Sequence, residues 1–393
     1  MSPSACTIPL LLGAFSARRP GQELGQAHAL EWLAEAHARS EASLARLDGS
    51  ARATFEQSIR RRIGRFGCQA SQVASRGFSV ADIGSDRWDE MEIYDIPNHS
   101  YGRGAAVRSA YFSNVVAEYF ELTYPPDAAP PSDIIHVTCT GYVSPDGAQR
   151  LLEKRGWGPL THVTHAYHMG CYAAFPAVRM AAGFLHSPPW LRARAEDRRV
   201  DIVHTELCSL HLDPSDHSPE QLVIQSLFAD GLIRYEARAT PDDGQPGLRV
   251  LTLAEAVLAG TADSMRWAVA DYGMRMALGR DVPDRIAGAI RPFVADLRAR
   301  GGQRESSLAE TVFAIHPGGP KIIDRVAEVL ELAEEQVAAS RGVLRDFGNM
   351  SSATLPHVWM RLLEDPTVAP GTPIISLAFG PGLTVCGGVF RKQ

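Results

Sequence analysis

The chain has 393 residues, 45% apolar and 21% charged, with a formal net charge of −6. That length exceeds one small core and sets an expectation of two or three domains, or of one large pseudo-repeated unit. The acidic balance gives no general electrostatic case for nucleic acid, and no apolar run approaches the roughly 20 residues of a membrane span.

In chain order, residues 7–15 read as a first strand, because the short apolar run lacks the basic flank of a signal peptide. Residues 21–47, rich in Ala, Leu and Glu, predict a long helix. The stretch 59–76 carries Arg60, Arg61, Arg62 and Arg65. Residues 103–123 and 147–156 predict helices, and 133–145 a buried strand running into a loop. HVTHAY (162–167) predicts a strand. Residues 171–185 predict a helix with almost no polar face, buried on all sides. Pro176 inside it calls for a kink or a late start.

Strand 200–207 follows, then a helix end, a glycine and a strand over 224–238. Strands near 248–253 and 311–316, helices at 280–300, 321–332 and 353–363, and a final hairpin over 374–390 complete an α/β pattern. The six cysteines (6, 68, 139, 171, 208 and 386) are widely spaced with no CxxC pair. This argues against a disulfide framework and for a reducing cytoplasm.

Residues 161–185 hold His162, His165, His168 and Cys171 at a spacing of three. A metal site needs these ligands to converge. On a strand, His162 and His168 share a face while His165 points to the other, so the alternative is hydrogen-bonded core or interface histidines. Cys171 follows Gly170 where strand gives way to helix. A helix N-terminus stabilises a thiolate and predicts a lowered thiol pKa. The bland reading is a small buried apolar residue.

A nucleophile needs partners. His316 in AIHPGGP stands at a strand end, and Asn349 in FGNMSSA precedes a helix. The FGNMSSA run also reads as a simple helix cap. The Gly380–Pro381–Gly382 loop would let backbone pass close to a ligand.

GCYAAFPAVRMA around Cys171, PSD at 214–216, SLFADG at 226–231, HPGGP at 316–320, FGNMSSA at 347–353 and FGPGLT at 379–384 occur in one order over most of the chain. Together they resemble type III polyketide synthases, the chalcone-synthase-like family. CTGYVSP (139–145) and MEIYDIP…YGRGAA (91–106) look more like the bacterial branch that makes alkylresorcinols and alkylpyrones.

The resemblance implies a thiolase-like α/β fold, two related halves (1–247 and 248–393) in five αβαβα layers, in a homodimer. It implies Cys171 as the nucleophile carrying starter and growing chain, His316 stabilising its thiolate, and His316 with Asn349 holding the thioester oxygen. Phe228 matches the gatekeeper aromatic. Cys139, Thr140, Cys208, His211, Ser351, Gly380 and Pro381 match segments around the cavity. Ser144 matches a position that reaches across the dimer.

Thr138-Cys139-Thr140 and the segment after Glu206 depart from plant members, which argues against the plant chalcone reaction; the small side chain of Ser144 would leave room for a long acyl chain, the expected starter. Substrates would be an acyl starter on CoA or on an acyl carrier protein, and malonyl-CoA, with no cofactor and no metal. Arg60, Arg61, Arg62 and Arg65 are the CoA-binding candidates; a solvated helix face is the alternative reading. Rival readings are a single-condensation or chain-joining ketosynthase, a catalytically silent scaffold and a metalloprotein.

Overall fold

The computed structural model describes residues 9–196, 198–240, 244–303 and 307–393. Cys6 lies outside them. The strands are β1 Leu10–Arg18, β2 Gln22–Gly25, β3 Ser75–Phe78, β4 Asp133–Thr138, β5 His162–Tyr167, β6 Arg199–Leu207, β7 Asp230–Ala239, β8 Leu248–Val257, β9 Met265–Val269, β10 Met274–Leu278, β11 Val312–Ile315, β12 Pro373–Gly380 and β13 Thr384–Lys392. The helices are α1 Gln26–Ala45, α2 Gly49–Phe66, α3 Ala105–Thr123, α4 Gly147–Arg155, α5 Ala174–Leu185, α6 Pro219–Leu227, α7 Val282–Arg300, α8 Pro320–Leu330, α9 Glu334–Phe347 and α10 Thr354–Glu364.

Nine strands form one sheet in the order β11-β12-β13-β8-β1-β7-β6-β4-β5. Strands β4, β5 and β6 are parallel, so their C-terminal ends open on one side. Three apolar clusters sort the helices into layers. The middle cluster holds α5 and α10 between inner sheet faces, with Phe175, Val178, Trp359 and Phe390 buried. A second packs α1, α3 and α4 on one outer face, and a third packs α7, α8 and α9 on the other. The continuous nine-stranded sheet thus wraps α5 and α10 and carries helices on both outer faces, a thiolase-like arrangement.

Local chemistry explains the boundaries. Asp48, Asp146 and Ser218 cap α2, α4 and α6, each side chain accepting a backbone N–H. Pro176 sits in the first turn of α5, where its missing N–H costs little, so the helix starts late at Ala174. The helix expected over 21–47 begins only at Gln26, because 22–25 pair with β3. The β9–β10 hairpin and α9 were not anticipated. Among the described residues no helix is long and apolar enough to cross a membrane.

Candidate active site

The nucleophile candidate stands on a 3-10 turn, Gly170–Tyr172, between β5 and α5. Gly170 has φ +75°, and a Cβ there would come within 2.7 Å of Pro381 Cδ. A Cβ at Gly380 would collide with the Tyr172 ring. The Gly-Pro-Gly loop therefore packs directly on the Cys171 turn, which only glycine at both positions permits.

Cys171 is 9% exposed. Burial pushes its thiol up to about 12, with the Glu206 charge adding to the rise and a hydrogen bond from Ser351 opposing it. The lowering expected from a helix N-terminus is not seen. The helix proper begins three residues later, and desolvation of the thiolate outweighs the turn's N–H groups.

His316 follows β11, and its backbone N–H donates to Leu377 O at 2.7 Å. Both ring nitrogens are buried without a hydrogen-bond partner among the described residues. Burial alone lowers the imidazole to about 3, so the ring is neutral. Asn349 is fixed by its backbone, which pairs with Leu227 and Ala229. Its Oδ1 accepts the Ser351 N–H at 2.9 Å, which turns the amide N–H group away from that contact. Ser351 holds φ 51°, in the left-handed region where a side chain is strained.

His316, Asn349 and Phe228 line one cavity of about 620 Å³. Its walls are mainly apolar, including Ile224, Leu227, Met265, Met276 and Phe379, and Arg65, Arg280 and Lys321 also line it. Of the four arginines expected to bind CoA, Arg65 is on this wall. Arg60 pairs with Glu56, Arg61 donates to Gln57 O, and Arg62 donates to His217 O. Arg280 and Lys321 were missed, since single basic residues in a helix approach and a proline turn carry no pattern.

A buried polar chain runs beneath the site. Cys171 Sγ lies 3.9 Å from Ser351 Oγ, and Ser351 Oγ lies 3.1 Å from Cys139 Sγ. The Glu206 carboxylate accepts the Cys139 N–H at 3.1 Å and the Thr140 hydroxyl at 2.9 Å, and also the Ser352 hydroxyl. Burial raises the Glu206 pKa, and these donors oppose the rise. Ser352 leads on to His204 Nδ1 at 3.0 Å. Glu206, Ser352 and His204 were not proposed as site residues; the polar His204, Thr205 and Glu206 closing the strand VDIVHTEL were the available signal.

Cys208 is buried close to this charge, and its thiol is raised well above the usual range by burial and then by Glu206. His211 donates from Nε2 to Thr140 O at 2.8 Å and accepts Met274 N–H at Nδ1, a structural role. Trp267, on the unanticipated hairpin, donates from its indole to Cys139 O at 2.6 Å. Ser144 is exposed on the surface of the chain.

The histidines of 162–168 do not converge. His162 and His165 lie near Asp133 and Asp146 respectively, and His168 bonds Trp267 O. Among the described residues no group of three or more His, Cys, Asp or Glu is placed to hold a metal ion.

Residues 250–392 match the C-terminal domain of chalcone and stilbene synthases. The chain is 30% identical to type III polyketide synthase A of Arabidopsis thaliana over 275 residues, 67% of each chain. The chain belongs to the type III polyketide synthase family. This synthase is also 29% identical to the 1,3,6,8-tetrahydroxynaphthalene synthase of Streptomyces griseus, over 66% of its own length and 67% of that protein. It is 30% identical to the alpha-pyrone synthesis polyketide synthase-like Pks18 of Mycobacterium tuberculosis, over 65% and 64% of the two chains. Its fold matches the type III domain of Steely1 from Dictyostelium with TM-score 0.79 at 22% identity, covering 98% and 99% of the chains. It matches PKS-I of the brown alga Ectocarpus siliculosus with TM-score 0.81 at 21% identity, covering 99% and 100%. As a member of this family it is a condensing acyltransferase.

Proposed function

We propose that this synthase takes a long-chain fatty acyl starter, extends it with malonyl-CoA and releases an alkylresorcinol or alkylpyrone. The observation that carries this is the cavity: a mainly apolar lining that includes His316 and Asn349, with Arg65, Arg280 and Lys321 supplying cations for phosphates. An acyl chain suits that wall better than a polar starter.

In this reading the neutral His316, whose ring nitrogens have no other partner among the described residues, accepts the Cys171 proton. The thiolate attacks the acyl thioester carbonyl and expels the thiolate of CoA or of an acyl carrier protein, which takes the proton back from His316 and leaves as the thiol. Malonyl-CoA then loses CO₂, and its enolate oxygen is held by His316 and by the Asn349 amide N–H. The enolate carbon attacks the acyl–Cys171 thioester, freeing the Cys171 thiolate, and the lengthened chain reloads for the next round. Phe228 gates the passage. No cofactor enters these steps.

Two copies would pair, the halves 1–247 and 248–393 forming one unit in each. The open edge strand β5 and the exposed Ser144 loop support a homodimer. The reading places the enzyme in the cytoplasm, where its buried free thiols stay reduced. Incubation with malonyl-CoA and a ladder of acyl-CoA starters, with Cys171→Ala as control, tests it by product mass. Cys171-dependent resorcinols or pyrones from long starters are expected. Preference for short or aromatic starters would remove the lipid branch.

A further inference from the structure

The segment between α5 and β6 presents apolar side chains to solvent in a fixed geometry. Trp190 is 79% exposed and Leu191 52% exposed. They sit on a 3-10 turn, Pro189–Leu191, that buries none of its residues. The turn is held firmly. Ser187 Oγ donates to Phe184 O at 2.6 Å, Arg192 Nε donates to Ser187 O at 2.7 Å, and Arg198 Nη2 donates to Leu185 O at 2.5 Å. Pro188 and Pro189 stiffen the approach. An organised turn with its largest apolar groups outward marks an interaction surface.

The flanking charge is basic. Arg192 and Arg194 follow the apolar pair directly, and neither has an acidic partner within ion-pair distance among the described residues. Glu196 is the nearest exposed acid in sequence, and Asp133 offsets Arg198.

Two apolar side chains on a projecting turn cover far less than the roughly 1,000 Å² that a stable protein interface needs. They suffice for a lipid interface, where an indole sits at headgroup depth, leucine enters the acyl boundary and arginines meet phosphates. The position fits as well. Cys171 lies beyond the C-terminal end of β5, whereas this turn precedes the N-terminal end of the parallel β6. The length of β6 separates the two ends by about 30 Å, so docking here leaves the thiol accessible.

We propose that Trp190 and Leu191, flanked by Arg192 and Arg194, dock this synthase on an anionic phospholipid surface. The proposal is independent of which starter the enzyme uses. The test is co-flotation of the full chain with phosphatidylglycerol–phosphatidylcholine vesicles and with phosphatidylcholine vesicles. Tryptophan emission is read in parallel, because Trp190 is the strongly exposed indole while Trp32, Trp88, Trp157 and Trp359 are buried.

Binding and a blue shift are expected with the anionic vesicles. Trp190→Ala/Leu191→Ala should weaken partitioning about tenfold or more. Arg194→Gln should reduce the preference for the anionic lipid, and Trp190→Phe should keep binding. All variants should retain turnover of a water-soluble starter, which shows that they fold. No partitioning by the wild type, or equal partitioning by the Trp190/Leu191 double variant, overturns the proposal. So does a double variant whose only change is a loss of self-association, or a Trp190 shift caused by an acyl carrier protein and not by lipid; these outcomes assign the turn to a second copy or to an acidic protein.

Discussion

The Sγ atom of Cys139 lies 3.1 Å from the Oγ atom of Ser351. Ser351 thus joins two thiols, since its Oγ is also 3.9 Å from Cys171 Sγ, and Cys139 Sγ in turn lies 3.5 Å from Glu206 Oε2. Replacing Cys139 by valine removes the thiol from this chain and takes a donor from a buried carboxylate. Cys139→Val should lower turnover about tenfold, because such a loss is worth about 1–3 kcal/mol. Cys139→Ser, which keeps a donor, should stay within a few-fold. Equal turnover in both variants would show that the chain of hydrogen bonds is incidental. The readout is the initial rate of product formation with product masses recorded.

The free enzyme should carry Cys171 as a thiol, since burial pushes it up to about 12 while burial holds His316 neutral at about 3. Below its pKa the thiolate fraction grows about tenfold per pH unit. Iodoacetamide alkylation of Cys171 should therefore climb steadily between pH 6 and pH 9 on the order of that slope. A plateau near neutrality would mean that a preformed thiolate–imidazolium pair exists instead.

Asp146 is almost fully buried. Burial raises its carboxyl, but the His136 hydrogen bond and charge, the Gln149 N–H and His165 overcome this and hold it at about 2, below the usual 3.8. A carboxylate with a depressed folded pKa adds stability that is full above the unfolded value and is lost as pH falls through the folded one. Asp146→Asn should cost about 2 kcal/mol at pH 7. The gap from wild type should close as pH falls from about 4 toward 2. Urea denaturation of both proteins across that range measures it; a gap independent of pH would rule out the ionic account.

Arg65, Arg280 and Lys321 line the cavity, whereas Arg60 is tied to Glu56. Alanine at each of the first three should raise KM for malonyl-CoA several-fold and flatten its salt dependence, with kcat little changed. Arg60→Ala should leave both constants near wild type. A KM effect confined to Arg60 would move the CoA entrance to the outer face of α2.

Gly170→Ala forces a side chain into φ +75° against Pro381. A loss of about 1 kcal/mol or more is expected, together with reduced turnover, because the Cys171 turn must shift. Thermal unfolding and rate measurements on one preparation check both.

Much of the layout was legible in the chain. The α/β alternation and the strand over 162–167 follow from periodicity, because a strand alternates faces; the helix after Cys171 forms but is not buried on all sides, since Arg179 and Gly183 are exposed and Arg179 pairs with Glu255. The same alternation separated His165 from its neighbours, and those histidines indeed bond to different partners. The motif order around Cys171, His316 and Asn349 pointed to the family that the comparisons then established.

Other properties came only from tertiary structure, since they depend on segments far apart in the chain. The thiol's protonation is one: a local rule predicted a lowered pKa, and burial by surrounding layers reversed it. The Cys139–Ser351 contact spans 212 positions. Glu206 gathers donors from residues 139, 140 and 352, which no spacing rule connects. Arg65 differs from Arg60, Arg61 and Arg62 only in the face of α2 that meets the cavity. Sequence determines which groups a protein owns and the period on which they repeat. The dielectric around each group, and the partners that reach it, exist only once the sheet and its helices have closed.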